Sequence, residues 1–399
     1  MHSGATVSAP ASNDLIVSVP RGACKVAVIW IDWYAYHVAR FQGILSNPTL
    51  AETAQGIELI GGIGVHQGLR FREDLPADLP VETLMSDSSW HEVGKLHLAL
   101  KLWRTLTRLN PEVVLVPGYY TLPGLAAASW AKLHGAKSVL MTESSEEDHQ
   151  RTWWKERLKA GLIRGLFDWA VTGGKAHVRY LARLGFPMNR IGRFYDVVEN
   201  RSYQERTALL RQQSHEAFDL PKRYFLYIGR LAEEKNVAGL IRAWVEYRHR
   251  GGTWPLVLVG DGPAAGTLRA LATESGHKEE IYFAGHKRSE ELPKYYAFAG
   301  CFVLASTREP WGLVVNEAMA SGLPVIVSNR CGCAEDLVIP GENGIIFDPD
   351  EETSLTTGLM RIGALEETER LQMGMHSSSI IERYSPGNFG REIARIASS

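Results

Sequence analysis

Cysteine is scarce in this chain: four among 399 residues, Cys24, Cys301, Cys331 and Cys333. Thiols so few and so scattered exclude a disulfide framework and fit a reducing, cytoplasmic setting. The Cys-x-Cys pair in "RCGCAED" has no second Cys/His cluster to complete a zinc site, so it reads as two small residues in a glycine turn. Long apolar runs are missing too; none approaches the roughly 20 residues that cross a bilayer. Neither sign of charge dominates, with 43 Lys and Arg against 45 Asp and Glu. No global field therefore attracts a polyanion, and nucleic acid is not an expected partner. The opening "MHSGATVSAPASNDLIVSVPRGACK" lacks the charged start and continuous apolar centre of a secretory signal. Residues 1–21 read as a disordered tail.

What is present is a repeated α/β grammar. Short β-rich runs, among them "KVAVIWI" (25–31), "EVVLVPG" (112–118), "KSVLMTE" (137–143), "RYFLYIG" (223–229), "PLVLVG" (255–260), "CFVLAS" (301–306) and "PVIVSN" (324–329), alternate with helical patterns. Continuous rather than alternating apolar strands predict parallel sheets buried on both faces. The length calls for two domains. A polar stretch without strand character, between about 200 and 221, separates them. The reading is an N-terminal Rossmann-like domain over 22–205, a C-terminal one over 206–382, and a cleft between them. A last helix over 383–399, after the Ser-Pro-Gly break, is expected to pack back on the first domain.

Three segments of the second half carry chemistry. Strand "YFLYIG" runs into "GRLAEEKN", where Gly229 allows a sharp turn at the ligand-binding edge of the sheet and Arg230 and Lys235 bracket the loop. Two cations there form a diphosphate clamp, or else a solvated turn neutralised by Glu233 and Glu234. In "LVLVGDGPAAGTL", Gly260, Asp261, Gly262, Pro263 and Gly266 lie after a strand, but the spacing differs from a dinucleotide fingerprint. The third segment, "EPWGLVVNEAMASG", puts Glu309 ahead of a turn and Glu317 inside a short helix. The amides near Gly312 and Leu313 would open the helix toward a phosphate. Glu317 would then reach a ribose and Glu309 a second sugar beyond the phosphates. The bland alternative makes Glu309 a cap and Glu317 a solvated side chain.

From about 223 to 348 these motifs, with "IYFAGHKRSEELPKYYAFAG", "REPWGLVVNEAMASGLPVIVSN" and "GCAEDLVIPGENGIIFDPD", resemble the retaining glycosyltransferase family 4, of GT-B architecture. The resemblance implies that Arg230, Lys235 and Glu309 are catalytic, the two cations stabilising the leaving diphosphate and Glu309 contacting the transferred sugar. It further implies that Glu317 holds the ribose, the backbone from Trp311 to Leu313 the distal phosphate, and the Gly285–His286–Lys287 turn the base. Gly229, Asp261 and Gly262 complete the donor side. A nucleotide-diphosphate sugar is then a co-substrate, with no cofactor and no metal: "DPD" at 348–350 follows a strand end outside the cleft loops.

The first half matches more loosely. Glu143 stands where the family usually has a histidine, and "DWYAYHVARF" replaces a Gly-Gly loop. Asp32, His37 and Glu143 are the acceptor-side candidates, with a core role open for each. The acceptor is a saccharide, a lipid-linked group or a small molecule. A nucleotide-sugar epimerase of the same shape, or an inactive nucleotide-sugar-binding protein, is the rival reading. One stretch, "RTWWKERLKAGLIRGLFDWA" (151–170), places Trp154, Leu158, Leu162 and Leu166 on one helical face. That face either covers the sheet or lies on an anionic bilayer as a peripheral contact.

Overall fold

The computed structural model describes residues 24–61, 75–86, 88–146, 152–351 and 353–399. The tail expected over 1–21 lies outside the described residues. The first lobe opens with β1 (Val26–Trp30), α1 (Ala35–Leu45), β2 (Ala54–Ile60) and β3 (Val81–Met85). It continues through α2 (Lys95–Leu109), β4 (Val113–Pro117), α3 (Leu122–His134) and β5 (Lys137–Met141). It closes with α4 (Trp153–Leu166), β6 (Trp169–Val171), α5 (Lys175–Arg183) and β7 (Ile191–Gly192).

The chain then enters α6 (Asn200–Leu210) and the second lobe: β8 (Phe225–Ile228), α7 (Val237–His249), β9 (Leu256–Val259), α8 (Ala265–Glu274) and β10 (Ile281–Gly285). There follow α9 (Leu292–Phe298), β11 (Cys301–Leu304), α10 (Leu313–Ala320), β12 (Val325–Ser328), α11 (Ala334–Leu337) and β13 (Gly344–Phe347). The last helices are α12 (Ser354–Gly363), α13 (Glu367–Ile381) and α14 (Pro386–Ser398).

Both sheets are parallel. Their orders are β3-β2-β1-β4-β5-β6-β7 and β10-β9-β8-β11-β12-β13, each reversing direction once, between β1 and β4 or between β8 and β11. Two doubly wound lobes make the GT-B fold. Helices cover both faces of the central strands, so every residue of β1, β2, β8, β9, β11 and β12 is buried, including the polar Gln55 and Glu58 of β2. At each reversal the loops on the carboxyl edge diverge and leave a crevice, which is where such sheets receive ligands.

The expected border at 205/206 falls inside α6. That helix packs on α9 and α10 of the second lobe, so the chain leaves the first lobe after Gly192. It returns at the other end: α14 lies along α1, and Lys137 Nζ donates to the carbonyls of Ile396 and Ala397 at 3.2 and 3.3 Å. A Cβ on Gly390 would lie 1.9 Å from the Gly43 oxygen, so the two helices meet backbone to backbone. Asn200 ties the two crossings together, donating to the Ile381 and Tyr384 carbonyls at 2.9 and 3.1 Å.

Candidate functional site

In the second lobe the loops after β8 and β11 are neighbours across the reversal point, and they carry the predicted cations and the first acid. Lys235 Nζ pairs with Glu309 Oε2, which also accepts from Ser306 Oγ at 3.2 Å. Arg230 pairs with Glu234 one turn further along its own loop. Both cations are therefore held at the sheet edge by carboxylates before any anion arrives. Glu234 is held below the usual carboxylate range by a hydrogen bond from its own backbone and then by Arg230. Tyr227, under this cluster, donates to the Arg230 carbonyl at 2.9 Å.

The β9 loop supports the β8 loop from behind. The Leu231 amide donates to the Asp261 carbonyl and the Ala264 amide to the Leu231 carbonyl, both at 2.9 Å. Gly260 has φ 138°, and a Cβ there would lie 1.9 Å from the Gly229 oxygen. The two glycines thus let two loop backbones touch. Asp261 accepts from the Gly262 amide at 2.8 Å, a turn-closing role. Beyond it, His286 and Lys287 follow β10, and burial lowers His286 below its ordinary value.

Glu309 is fixed by pairing of its strand-like loop with the next one: its amide donates to the Arg330 carbonyl at 3.3 Å, and its carbonyl accepts from the Gly332 amide at 3.0 Å. This is the job of the "RCGC" turn. All four cysteines are free and buried, and burial pushes the thiols of Cys331 and Cys333 well up. Gly312, with φ 105°, caps α10, whose first-turn N–H groups open beside Glu309. One turn in, Glu317 Oε2 accepts from the buried Tyr296 hydroxyl at 2.7 Å. Neither acid is therefore a plain cap or a plain solvated side chain.

Trp311 belongs elsewhere. Its ring is buried, and Nε1 donates to Asn316 Oδ1 at 2.9 Å, while Asn316 Nδ2 donates to the Asp196 carbonyl at 3.0 Å. The side chain thus pins α10 to the interlobe segment, and only its backbone faces the helix tip. His177, at the start of α5, reaches across from the first lobe, 2.9 Å from the Pro310 carbonyl. Arg179 grips Glu335 with two bonds of 2.9 and 2.7 Å, and Asp336 takes the Lys175 amide at 2.8 Å and Arg193 at 2.5 Å. These contacts frame a cleft of about 460 Å³ lined by Ser145, Glu146 and Arg179 on one side and Glu309, Arg330 and Gly332 on the other.

The first-lobe candidates separate. His37 is buried, stacked on Trp30 with ring centroids 4.7 Å apart, and its Nδ1 accepts the Tyr34 amide at 3.3 Å. Burial and Arg40 hold its imidazole well below the ordinary value. It is a neutral cap for α1, which corrects its place among the acceptor contacts. Asp32 accepts from the Tyr34 hydroxyl at 2.8 Å on the loop leaving β1.

Glu143, after β5, joins a group that the sequence did not disclose. Arg40 Nη2 donates to Asp196 Oδ1 at 2.8 Å, both side chains fully buried, and the guanidinium lies 4.0 Å from the Tyr195 ring centre. Asp196 Oδ2 meets no donor among the described residues. Burial first, then Glu143, push the Asp196 carboxyl well above the usual range, against Arg40. The local signal is an arginine four residues after Tyr36 on a helix that carries no other formal charge at pH 7.

Among the described residues, no group of three His, Cys, Asp or Glu is placed to hold a metal ion, and no helix is long and apolar enough to cross a membrane.

Residues 211–374 match the family described as glycosyl transferases group 1. The chain is 28% identical over 249 residues to an alpha-D-kanosaminyltransferase of Streptomyces kanamyceticus, covering 61% of this chain and 62% of that one. It is 35% identical over 139 residues to a GDP-mannose-dependent alpha-(1-6)-phosphatidylinositol monomannoside mannosyltransferase of Mycolicibacterium smegmatis, over 33% and 36% of the two chains. An uncharacterized glycosyltransferase of Methanocaldococcus jannaschii matches at 31% over 44% of each chain. These matches thus span between about a third and two thirds of the curated relatives. The fold is that of Anabaena HepE crystallised with UDP and glucose (TM-score 0.71, 17% identity, 94% of this chain and 100% of that one). A sucrose-phosphate synthase of Thermosynechococcus elongatus shares it (TM-score 0.71, 17%, 94% and 98%). The match to that family lies in the second lobe and spans the motifs from 223 to 348.

Proposed function

We propose that this protein transfers a sugar, with retention of anomeric configuration, from a nucleotide-diphosphate donor to a saccharide, lipid-linked or small-molecule acceptor. The observation that carries the reading is the meeting of Lys235 and Glu309 across the β8 and β11 loops, beside the tip of α10. Breaking the anomeric C–O bond puts negative charge on the departing diphosphate and positive character on the sugar. Lys235, Arg230 and the first-turn amides of α10 stabilise the first, and their positions are fixed before the reaction. Glu309 faces the sugar side, where its carboxylate holds hydroxyls and offsets the developing positive charge.

In this reading Arg230 exchanges Glu234 for a phosphate oxygen when the donor binds. Glu317, oriented by Tyr296, takes the ribose hydroxyls, and the Gly285–Lys287 turn meets the base. Two cations and a helix tip supply the positive charge that a divalent ion supplies in other transferases, so transfer is expected to be metal-independent. The acceptor approaches from the first lobe, where Glu143 lies, and attacks on the face the diphosphate leaves.

The reading is supported by the group 1 match of the lobe that holds these residues and by a neighbour crystallised with UDP and glucose. Its test is release of nucleoside diphosphate from a panel of UDP-, GDP-, ADP- and dTDP-sugars, with and without chelator. At least one donor is expected to be hydrolysed slowly without acceptor and to the same extent with chelator. Release that collapses on chelation removes metal independence, and no release from any donor removes the function.

A further inference from the structure

The helix α4 is built the wrong way round for a helix that only covers a sheet. Its buried residues are Ala160 and Ile163, while its large apolar side chains face outward: Trp153 is 75% exposed, Trp154 48%, Leu158 67% and Leu162 38%. Of the two readings of that face, covering the sheet fails for Trp154, Leu158 and Leu162. Of that set only Leu166 packs against the core. The exposed side also carries Lys155, Arg157 and Arg164. The one acid of the helix, Glu156, is turned inward and accepts from the Tyr180 hydroxyl at 2.6 Å. What is left outside is a face of tryptophan, leucine and cations with no carboxylate.

The face also has a position. In a parallel sheet, the helices begin at the carboxyl edge of the strands, so the Trp153 end of α4 lies on the cleft side of the first lobe. The loop after β4 adjoins it, with Lys159 Nζ 5.0 Å from the Tyr119 ring centre. Tyr120, next along that loop, and Leu122, the first residue of α3, are 75% and 45% exposed.

We propose that the outer face of α4 docks on an anionic lipid bilayer. An amphipathic helix lies in the membrane interface when its apolar side holds Trp and Leu and its flanks hold Lys and Arg. Tryptophan beside lysine suits the headgroup level, where the ring is buried and its polar edge stays wet. A second copy of this chain is the poorer occupant. A two-fold contact through this face would set Lys155, Arg157 and Arg164 near their own copies, like charge against like, whereas anionic headgroups supply the missing counter-charge. Docking here would put the cleft mouth at the membrane surface. That makes the acceptor membrane-resident only if the sugar-transfer reading above also holds, but the docking does not depend on it.

The test is flotation of the full chain with vesicles of phosphatidylcholine alone or with about 30% phosphatidylglycerol, a strongly anionic surface, at low and high salt. The chain is expected to float with the anionic vesicles at low salt and to be released by high salt. Lys155→Gln with Arg157→Gln should weaken partitioning roughly 30-fold, about fivefold for each surface cation, and Trp154→Ser with Leu158→Ser should abolish it. All four positions are exposed, and an unchanged melting temperature confirms that the variants fold. No flotation at low salt overturns the proposal, as does flotation that Trp154→Ser with Leu158→Ser leaves intact. A dimer in sedimentation equilibrium that Leu158→Ser dissolves, without vesicle binding, assigns the face to a second copy and also overturns it. Vesicle binding without release of nucleoside diphosphate from any donor sustains the docking and defeats the sugar-transfer reading instead.

Discussion

The two lobes share a topology and use charge in opposite ways. In the second, Arg230 stands exposed and Lys235 part-buried on the β8 loop, held by Glu234 and Glu309, and an arriving anion can take over either one. In the first, Arg40 is sealed under α1 against Asp196, with Tyr195 stacked on its other side. The same side-chain type is thus exchangeable in one crevice and locked in the other. The difference is one of access: the second-lobe cations stand on an edge loop that an anion can reach, whereas the first lobe holds its cation buried against a carboxyl.

The largest expected effect follows from that contrast. Arg40→Met leaves the buried Asp196 carboxyl without its cation and should destabilise the fold by about 3–5 kcal/mol, read as a lower midpoint in urea. Arg230→Met, exposed and salt-screened, should change stability by less than about 1 kcal/mol. Equal losses would erase the distinction between the lobes.

Lys235→Ala reverses the pattern, with little change in stability but a fall in turnover of roughly 10²–10³, the scale of losing one transition-state donor. Steady-state kinetics with an unaltered kcat would remove Lys235 from the chemistry.

Glu143→Gln sharpens the acceptor side. Losing a charge-assisted hydrogen bond costs about 1.5–3 kcal/mol, so kcat/KM for the acceptor should fall about 10- to 100-fold while donor hydrolysis without acceptor is unchanged. An equal loss in both assays would move Glu143 to the donor side.

The smallest effect is on pH. Burial and Arg40 keep His37 below its ordinary 6.5, so the unfolded chain gains a proton that the folded one refuses as pH falls through that value. Stability is complete above about 6.5 and declines below it, by at most about 1.4 kcal/mol per pH unit. His37→Asn should flatten that slope in thermal melts at pH 5 and 7, and an unchanged slope would assign it to other groups.

The comparison also explains what could be read in advance. The predicted donor-side residues follow directly on β8 and β11, from Gly229 to Lys235 and from Ser306 to Glu317, so one segment's sequence contains one segment's chemistry. The first-lobe group joins residues 40, 143 and 196, which only the β1–β4–β5 order and the interlobe crossing bring together. No spacing along the chain encodes that. Strands β2 and β3 were missed because "AQGIELI" and "VETLM" carry polar residues such as Gln55 and Glu58 into the sheet, where Thr83 donates to Glu58 at 2.7 Å. Helix α6 was missed as a polar stretch because the residues it buries, Asn200 and Thr207, are themselves polar. His37 misled because a histidine soon after the first strand looks like chemistry, while the burial and the Arg40 charge that keep it neutral are tertiary facts.

The account turns on the β8 and β11 loops receiving the diphosphate of a nucleotide. Calorimetric titration of nucleoside diphosphates and of the matching nucleosides, into the natural chain and into Lys235→Ala, measures this directly. The account predicts that one diphosphate binds, that the variant loses most of that affinity, and that nucleoside affinity is the same in both. Equal affinity of natural chain and variant for every diphosphate would contradict it.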